Sequence, residues 1–151
     1  MKKVKGDLIH LAMDGHFDVI IHGCNCFHTM GAGVAKTIAQ RFPEAYEADK
    51  QTSYGERSKL GTISTATITR GAVSFVVVNA YTQFDWRGRG RRADYDAISG
   101  CFEDVARRFL KSRIGYPLIG AGLARGDWAQ IAPRIEAALD GLDHTLVEYS
   151  G

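Results

Sequence analysis

Apolar residues recur along this chain in two rhythms, and their alternation predicts the architecture. Short β-rich runs cover residues 18–22, 62–69, 73–80, 114–119 and 146–149, with 75–78 continuously apolar as in a strand covered on both faces. Helical spacing fills the stretches between. Val34, Ala35, Ile38, Ala39 and Phe42 fall on one face of a helix over 34–42. Ile98, Phe102, Val105, Ala106 and Phe109 do the same over 94–110. Pro43 suits the first turn of a short second helix reaching Lys50, where its missing N–H is not needed. Trp128, Ile131, Ile135 and Ala138 mark a last helix. Pro133 predicts an irregular first turn there, or a restart near Ala132, because proline removes an interior hydrogen bond. Residues 4–11 read as a first strand or extended arm, interrupted at Gly6-Asp7. Residues 52–59 read as a polar loop, and Arg70-Gly71 as the turn of a hairpin between 62–69 and 73–80. Strands alternating with helices predict an α/β fold, a three-layer α/β/α sandwich on a mixed central sheet.

Composition narrows the class. A chain of 151 residues is expected to form a single domain over 1–151. With 45% hydrophobic and 24% charged residues it has ordinary globular proportions and enough apolar material for a core. No apolar run approaches the ~20 residues of a spanning helix, so no membrane partner is expected. The basic start, MKKVKGDL, lacks the apolar segment of a signal peptide. Three cysteines, Cys24, Cys26 and Cys101, then suggest reduced thiols and a cytoplasmic location. A net charge of +2 is too small to argue for nucleic acid, which is the disfavoured partner.

The segment 21–36, IHGCNCFHTMGAGVAK, carries the first candidate chemistry. It is the end of a strand, a polar stretch and a Gly-Ala-Gly turn that opens a helix. Such a turn lets backbone N–H groups approach an anion, and the helix N-terminus favours negative charge. A second turn, GAGLARG over 120–126, also follows a strand and precedes a helix. In an open α/β sheet both turns lie at the carboxyl ends of strands, and two such nests suit a diphosphate. The alternative is that glycine merely permits tight turns. Lys36 lacks the context of a Walker A loop, and the Gly-x-Gly-x-x-Gly spacing of a dinucleotide fold is missing from the first turn.

Four further features stand out. His22, Cys24, Cys26 and His28 alternate with period two, but on an extended segment they would span ~20 Å and cannot all reach one metal ion. His28, just before the first glycine turn, suits proton transfer near neutral pH or packs the loop. Asp127 is a general acid or base, or the cap of the last helix. Residues 85–92, DWRGRGRR, place arginines beside Phe84 and Trp86, as a solvated loop, a single-strand surface or a grip on a terminal phosphate.

Gly6-Asp7-Leu8, Asn25 ahead of Met30-Gly31-Ala32-Gly33-Val34-Ala35, and Ile119-Gly120-Ala121-Gly122-Leu123 together resemble the macrodomain family. The resemblance covers nearly the whole chain, and the Asp127-Trp128 pair resembles phage and bacterial members. It implies ADP-ribose or a derivative as ligand, with ADP-ribosylated protein as a further partner and no cofactor or metal. Asp7, with Leu8 beside it, matches the acceptor for the adenine amine; the bland alternative is a turn residue. Met30, Gly31, Ala32, Gly33 and Val34 match the first phosphate loop. Ile119, Gly120, Ala121, Gly122, Leu123 and Ala124 match the second. Asn25 matches the polar residue at the distal ribose, and is otherwise a strand-end turn former. The branch that deacylates carboxylates carries a lysine where this chain has Gln83, and an acid where it has Ala124. Glutamine cannot form a lysine-type covalent adduct. The resemblance therefore implies hydrolysis at the distal ribose, led by phosphate release from ADP-ribose 1''-phosphate. His28, Asn25 and Asp127 are the candidate catalytic residues. De-ADP-ribosylation and a non-catalytic binding module are the alternatives.

Overall fold

The computed structural model describes residues 1–150. The chain runs β1 (Lys2–Gly6), α1 (Leu8–Met13), β2 (Val19–Cys24), α2 (Gly33–Arg41), α3 (Pro43–Lys50), β3 (Ile63–Arg70), β4 (Val73–Tyr81), α4 (Tyr95–Arg108), β5 (Arg113–Tyr116), α5 (Trp128–Ala138) and β6 (Asp143–Tyr149). The six strands form one sheet in the order β1-β6-β5-β2-β4-β3. All neighbours are parallel except β3, which pairs antiparallel with β4 as the hairpin. The sheet is therefore mixed, as the pattern predicts.

Strand alternation sorts the side chains into two cores. Ile20 and Val77 face a cluster with Ile9, Ile38 and Phe42, which places α1, α2 and α3 on one side. Val19, Ile21 and Val78 face Phe102, Val105, Ile131 and Ile135, which places α4 and α5 on the other. The outcome is the α/β/α sandwich. Among the described residues, no helix is long and apolar enough to cross a membrane.

Three local expectations need correction. The predicted arm over 4–11 ends as a strand at Gly6, and Leu8 starts a helix. The cause is Asp7, whose Oδ1 accepts from the N–H groups of Ile9 and His10 at 2.9 and 3.0 Å. That satisfies two donors at the helix start, and Leu8, Ile9 and Ala12 become its buried face. The strand expected over 114–119 stops at Tyr116, because Pro117 supplies no N–H to a ladder. The interruption expected at Pro133 does not occur, and α5 runs unbroken from Trp128 to Ala138. Pro133 lies on the exposed face, where solvent can satisfy the carbonyl that its ring deprives of a donor. The polar loop after α3 also contains a 3-10 turn, Arg57–Lys59.

A buried polar layer underlies the outer half of the sheet. The His22 Nε2–H donates to Asn79 Oδ1 at 2.6 Å, and Asn79 Nδ2 donates to the Ala45 carbonyl at 2.9 Å. Burial pushes the His22 pKa down to about 4, against the opposing hydrogen bond to Asn79. The folded chain thus holds this ring neutral, while the unfolded chain protonates it below about 6.5. Its contribution to stability is complete above that pH and is lost as pH falls towards 4. The urea midpoint should decline through this window, by at most roughly 1.4 kcal/mol per pH unit from this group. His22→Gln, which keeps a donor for Asn79, should flatten the slope.

Candidate functional site

Both glycine turns leave the carboxyl ends of parallel strands, so they meet at one edge of the sheet. A Cβ built on Gly33 would lie 3.2 Å from Leu123 Cδ1, which measures how closely the two loops approach. The first loop is stiffened before it reaches glycine. Asn25 Oδ1 accepts from Phe27 N at 2.8 Å, and Asn25 Nδ2 donates to the Thr29 carbonyl at 2.9 Å. One amide hydrogen and one oxygen lone pair of Asn25 remain for a ligand. Gly33 then takes φ +61° and opens α2.

The start of α2 has no side-chain cap, and neither has that of α3, whose first turn holds Pro43. Aspartate side chains cap α1, α4 and α5, through Asp7, Asp94 and Asp127. The N-cap of α2 is Ala32, which has no polar side chain, and its first turn lies exposed. The N–H groups there are left for an acceptor from outside the chain. In the second loop, Ala121 N, Arg125 N and Gly126 N are spent on loop carbonyls. Those of Gly122, Leu123 and Ala124 donate to no backbone carbonyl among the described residues. Gly126 is obligatory, since any Cβ there would strike the Gly120 carbonyl oxygen and sit 2.8 Å from Ile131 Cδ1.

The remaining candidates fall as follows. Asp7 spends Oδ1 on capping α1, which leaves Oδ2 for a ligand donor. Leu8, Met30 and Ile119 are buried, each in a different apolar cluster. Gln83 bridges to Ala93, and its Oε1 is buried without a partner. Asp127 is exposed, and its Oδ1 caps α5 through Ala129 N at 3.0 Å.

His28 Nε2 lies 2.8 Å from the Thr52 carbonyl. A carbonyl accepts only from a protonated nitrogen, so Nε2 carries the hydrogen, and in the neutral ring the lone pair is on Nδ1. Phe27, Tyr54, Phe84 and Trp86 form an aromatic cluster around this end, with Phe27 and Phe84 centroids 5.0 Å apart.

The period-two histidines and cysteines have separate partners. Cys24 Sγ lies 3.6 Å from His22 Nε2, and Cys26 Sγ donates to the Gln83 carbonyl. Among the described residues no three His, Cys, Asp or Glu side chains gather as metal ligands. Burial raises all three thiols, Cys101 to about 12, so they are poor nucleophiles at neutral pH. Residues 86–91 of the arginine-rich loop are exposed, and internal bonds hold its shape. Arg87 pairs with Asp85 at 2.9 Å and holds its carboxyl below the usual range. Arg92 staples the loop by donating to the Arg87 and Arg89 carbonyls at 2.6 and 2.7 Å.

One candidate was missed by reading the chain in order. Tyr149, 78% exposed, pairs in register with Gly6, the residue before Asp7. The alternating strand at the C-terminus is visible in sequence, but its pairing with β1 is not.

Comparison with known proteins places this geometry. Over 99% of its length the chain is 35% identical to an uncharacterised 17.5 kDa protein of Enterobacteria phage T4, covering 96% of that protein. A shorter stretch of 46 residues, 30% of this chain and 21% of the relative, is 44% identical to an ADP-ribose 1''-phosphate phosphatase of Aspergillus oryzae. Among solved structures, Thermosipho africanus DarTG in complex with ADP-ribose matches with a TM-score of 0.71 at 16% identity, over 99% of this chain and 42% of that one. The family model named Macro domain matches residues 21–135, from the centre of β2 through both glycine loops into α5, and the chain belongs to that family.

Proposed function

We propose that this chain binds ADP-ribose across the two glycine loops and hydrolyses a derivative at the distal ribose, with ADP-ribose 1''-phosphate the leading substrate. The observation that carries this reading is the meeting of two loops with uncommitted backbone N–H groups, one at an uncapped helix start. A diphosphate supplies the acceptors that both loops lack. Asp7 Oδ2 then accepts from the adenine amine, and Tyr149, paired with Gly6, offers an exposed ring. Asn25 offers its free donor and acceptor to the distal ribose. Water attacks the 1''-phosphoryl group, the P–O bond to the ribose breaks, and ADP-ribose and inorganic phosphate leave. His28 Nδ1 takes the proton from water and gives it to the departing ribose oxygen, while the Thr52 carbonyl holds the ring's tautomer. The phosphatase relative and the ADP-ribose-bound structural neighbour support this assignment.

A turnover panel of ADP-ribose 1''-phosphate, O-acetyl-ADP-ribose and protein ADP-ribosylated on glutamate or aspartate tests the reaction. Phosphate release from the first supports it. No turnover of any panel member would overturn the hydrolase assignment and leave an ADP-ribose binding module. Binding is tested by calorimetry on two variants of one residue. Asp7→Ser keeps the helix cap but removes the charged acceptor, and should cost about 1.5–3 kcal/mol in ADP-ribose affinity with little change in melting temperature. Asp7→Ala should show the same affinity loss plus about 1 kcal/mol of lost stability. Equal affinities in Asp7→Ser and the wild type would remove Asp7 from the adenine site.

A further inference from the structure

We propose that a cavity beyond β4, outside the two glycine loops, is a second anion site built to take a phosphoryl group. The cavity holds about 650 Å³ and is lined by Arg57, Phe84, Arg91, Arg92, Tyr95 and Arg134, among others. It opens at the same edge of the sheet as the loops, one strand further out. Arg57 and Leu60 on its wall precede β3, and the Gln83–Ala93 bridge extends β4 on the inner side. Arg92 N and Ala93 N both donate to the Ala124 carbonyl, which ties the wall to the second glycine loop.

Four arginines face three aspartates on the wall, and the exposed Arg57 and Arg91 each lie over an aromatic ring. The Arg57 guanidinium lies 4.1 Å from the centre of the Phe84 ring, and that of Arg91 lies 4.2 Å from the Tyr95 ring. An arginine attracted to a ring face still has N–H groups to donate to an acceptor. Arg91 spends only Nη1 internally, on the Ala93 carbonyl at 2.7 Å. Arg92 Nε is buried with no partner, although its other nitrogens are satisfied. Among the described residues, none of Arg57, Arg91 and Arg92 joins an ion pair.

The acids on the same wall are already committed. Asp85 is matched by Arg87, Asp94 caps α4, and Asp96 pairs with Arg134 at 3.4 Å from a fully solvated position. Four arginines against three aspartates leave the lining one positive charge in excess. Forked guanidinium groups favour phosphate oxygens over a lone halide or a neutral group. The volume exceeds one phosphate, so the phosphoryl group arrives attached to a larger molecule. The 1''-phosphate of a ligand in the cleft and a phosphate on a separate molecule are the two sources. The first rests on the function proposed above; the site does not.

Calorimetry at constant ionic strength separates them, with inorganic phosphate, ADP-ribose and its non-hydrolysable 1''-phosphonate as probes. Wild-type chain should bind inorganic phosphate, and Arg57→Gln/Arg91→Gln should weaken that binding by about 10-fold or more. If the cleft ligand is the source, the phosphonate should bind about 10- to 100-fold tighter than ADP-ribose in the wild type and equally in the double variant. Unchanged ADP-ribose affinity in that variant confirms that the fold is intact. Arg57→Lys keeps the charge without the fork and provides a milder substitution, expected to weaken phosphate by roughly 3- to 10-fold. Phosphate binding lost in the variants, with equal affinities for ADP-ribose and the phosphonate, supports the site and assigns it to a separate molecule. No phosphate binding and no phosphonate advantage overturns the site. Loss of ADP-ribose binding by the wild type would overturn the proposed function while the phosphate arm still reports on this cavity.

Discussion

Replacing His28 with alanine should slow phosphate release from ADP-ribose 1''-phosphate by about 10²–10⁴-fold, the usual worth of a positioned proton-transfer group. ADP-ribose affinity should hardly change, because the diphosphate contacts come from backbone N–H groups that His28 does not supply. The alanine variant is a fair test of the side chain. His28 has φ +53°, a strained value that alanine shares, so the substitution does not relax the loop as glycine would. A purely structural role gives a different result. The ring bonds to Thr52 and sits 5.4 Å from the Tyr54 ring, so its loss could only loosen the loop. That would raise KM and lower the melting temperature, and leave the pH profile of kcat in place. A catalytic role removes the limb of the profile that reports deprotonation of the base. Turnover at the wild-type rate would take His28 out of the mechanism. Asp127 would then be tested, since its second oxygen is not used in capping α5.

The largest stability effect should come from Lys59→Met. Lys59 and Asp49 have side chains 4% and 1% exposed, with Nζ 3.7 Å from Asp49 Oδ1. Lys59 Nζ also donates to the Ser53 carbonyl at 2.9 Å and lies 4.3 Å from the centre of the Tyr81 ring. Asp49 Oδ1 accepts from the Tyr81 hydroxyl at 2.8 Å, while Oδ2 has no partner. Removing the cation leaves a buried carboxylate with one hydrogen bond. Breaking a buried pair in this way costs about 3–5 kcal/mol, which lowers the melting temperature of a chain this size by roughly 6–20 °C. Lys59→Met/Asp49→Leu should regain most of that, because the uncompensated charge is gone. Thermal unfolding followed by circular dichroism measures both. A single variant within a few degrees of wild type would show that water enters and solvates Asp49.

Much of the architecture was readable in residue order, because it depends on local rules. The spacing of Ile98, Phe102 and Val105 reports one helix face whatever packs on it. Arg70-Gly71 turns the chain because Gly71 accepts φ +61°, and two apolar strands follow as a hairpin. The glycine turns at 31–33 and 120–122 are legible as turns for the same reason, with Gly33 at φ +61° and Gly120 at φ +76°. Local rules failed where two of them competed. Asp7 could end an extended arm or start a helix, and the six residues of α1 are too few to show a convincing period. The packing of Leu8, Ile9 and Ala12 against the sheet settled it. Pro133 was read as a break because sequence does not reveal which helix face meets solvent.

The site depends on contacts that residue order does not encode. Parallel pairing of β1 with β6 sets Tyr149 against Gly6, the residue before Asp7, across nearly the whole chain. The strand order sets Gly33 against Leu123, and the bond of Ala93 N to the Ala124 carbonyl closes the arginine cavity behind them. Lys59 finds Asp49 only when β3 and α3 cover Tyr81. Each of these pairs has residue types that are common on any surface. Hydrophobic periodicity and glycine conformations are properties of a few neighbouring residues, so the chain announces them directly. Charge partnership, exposure and the free valence of a hydrogen-bonding atom are properties of the space around a residue, and that space exists only once the sheet has ordered its strands.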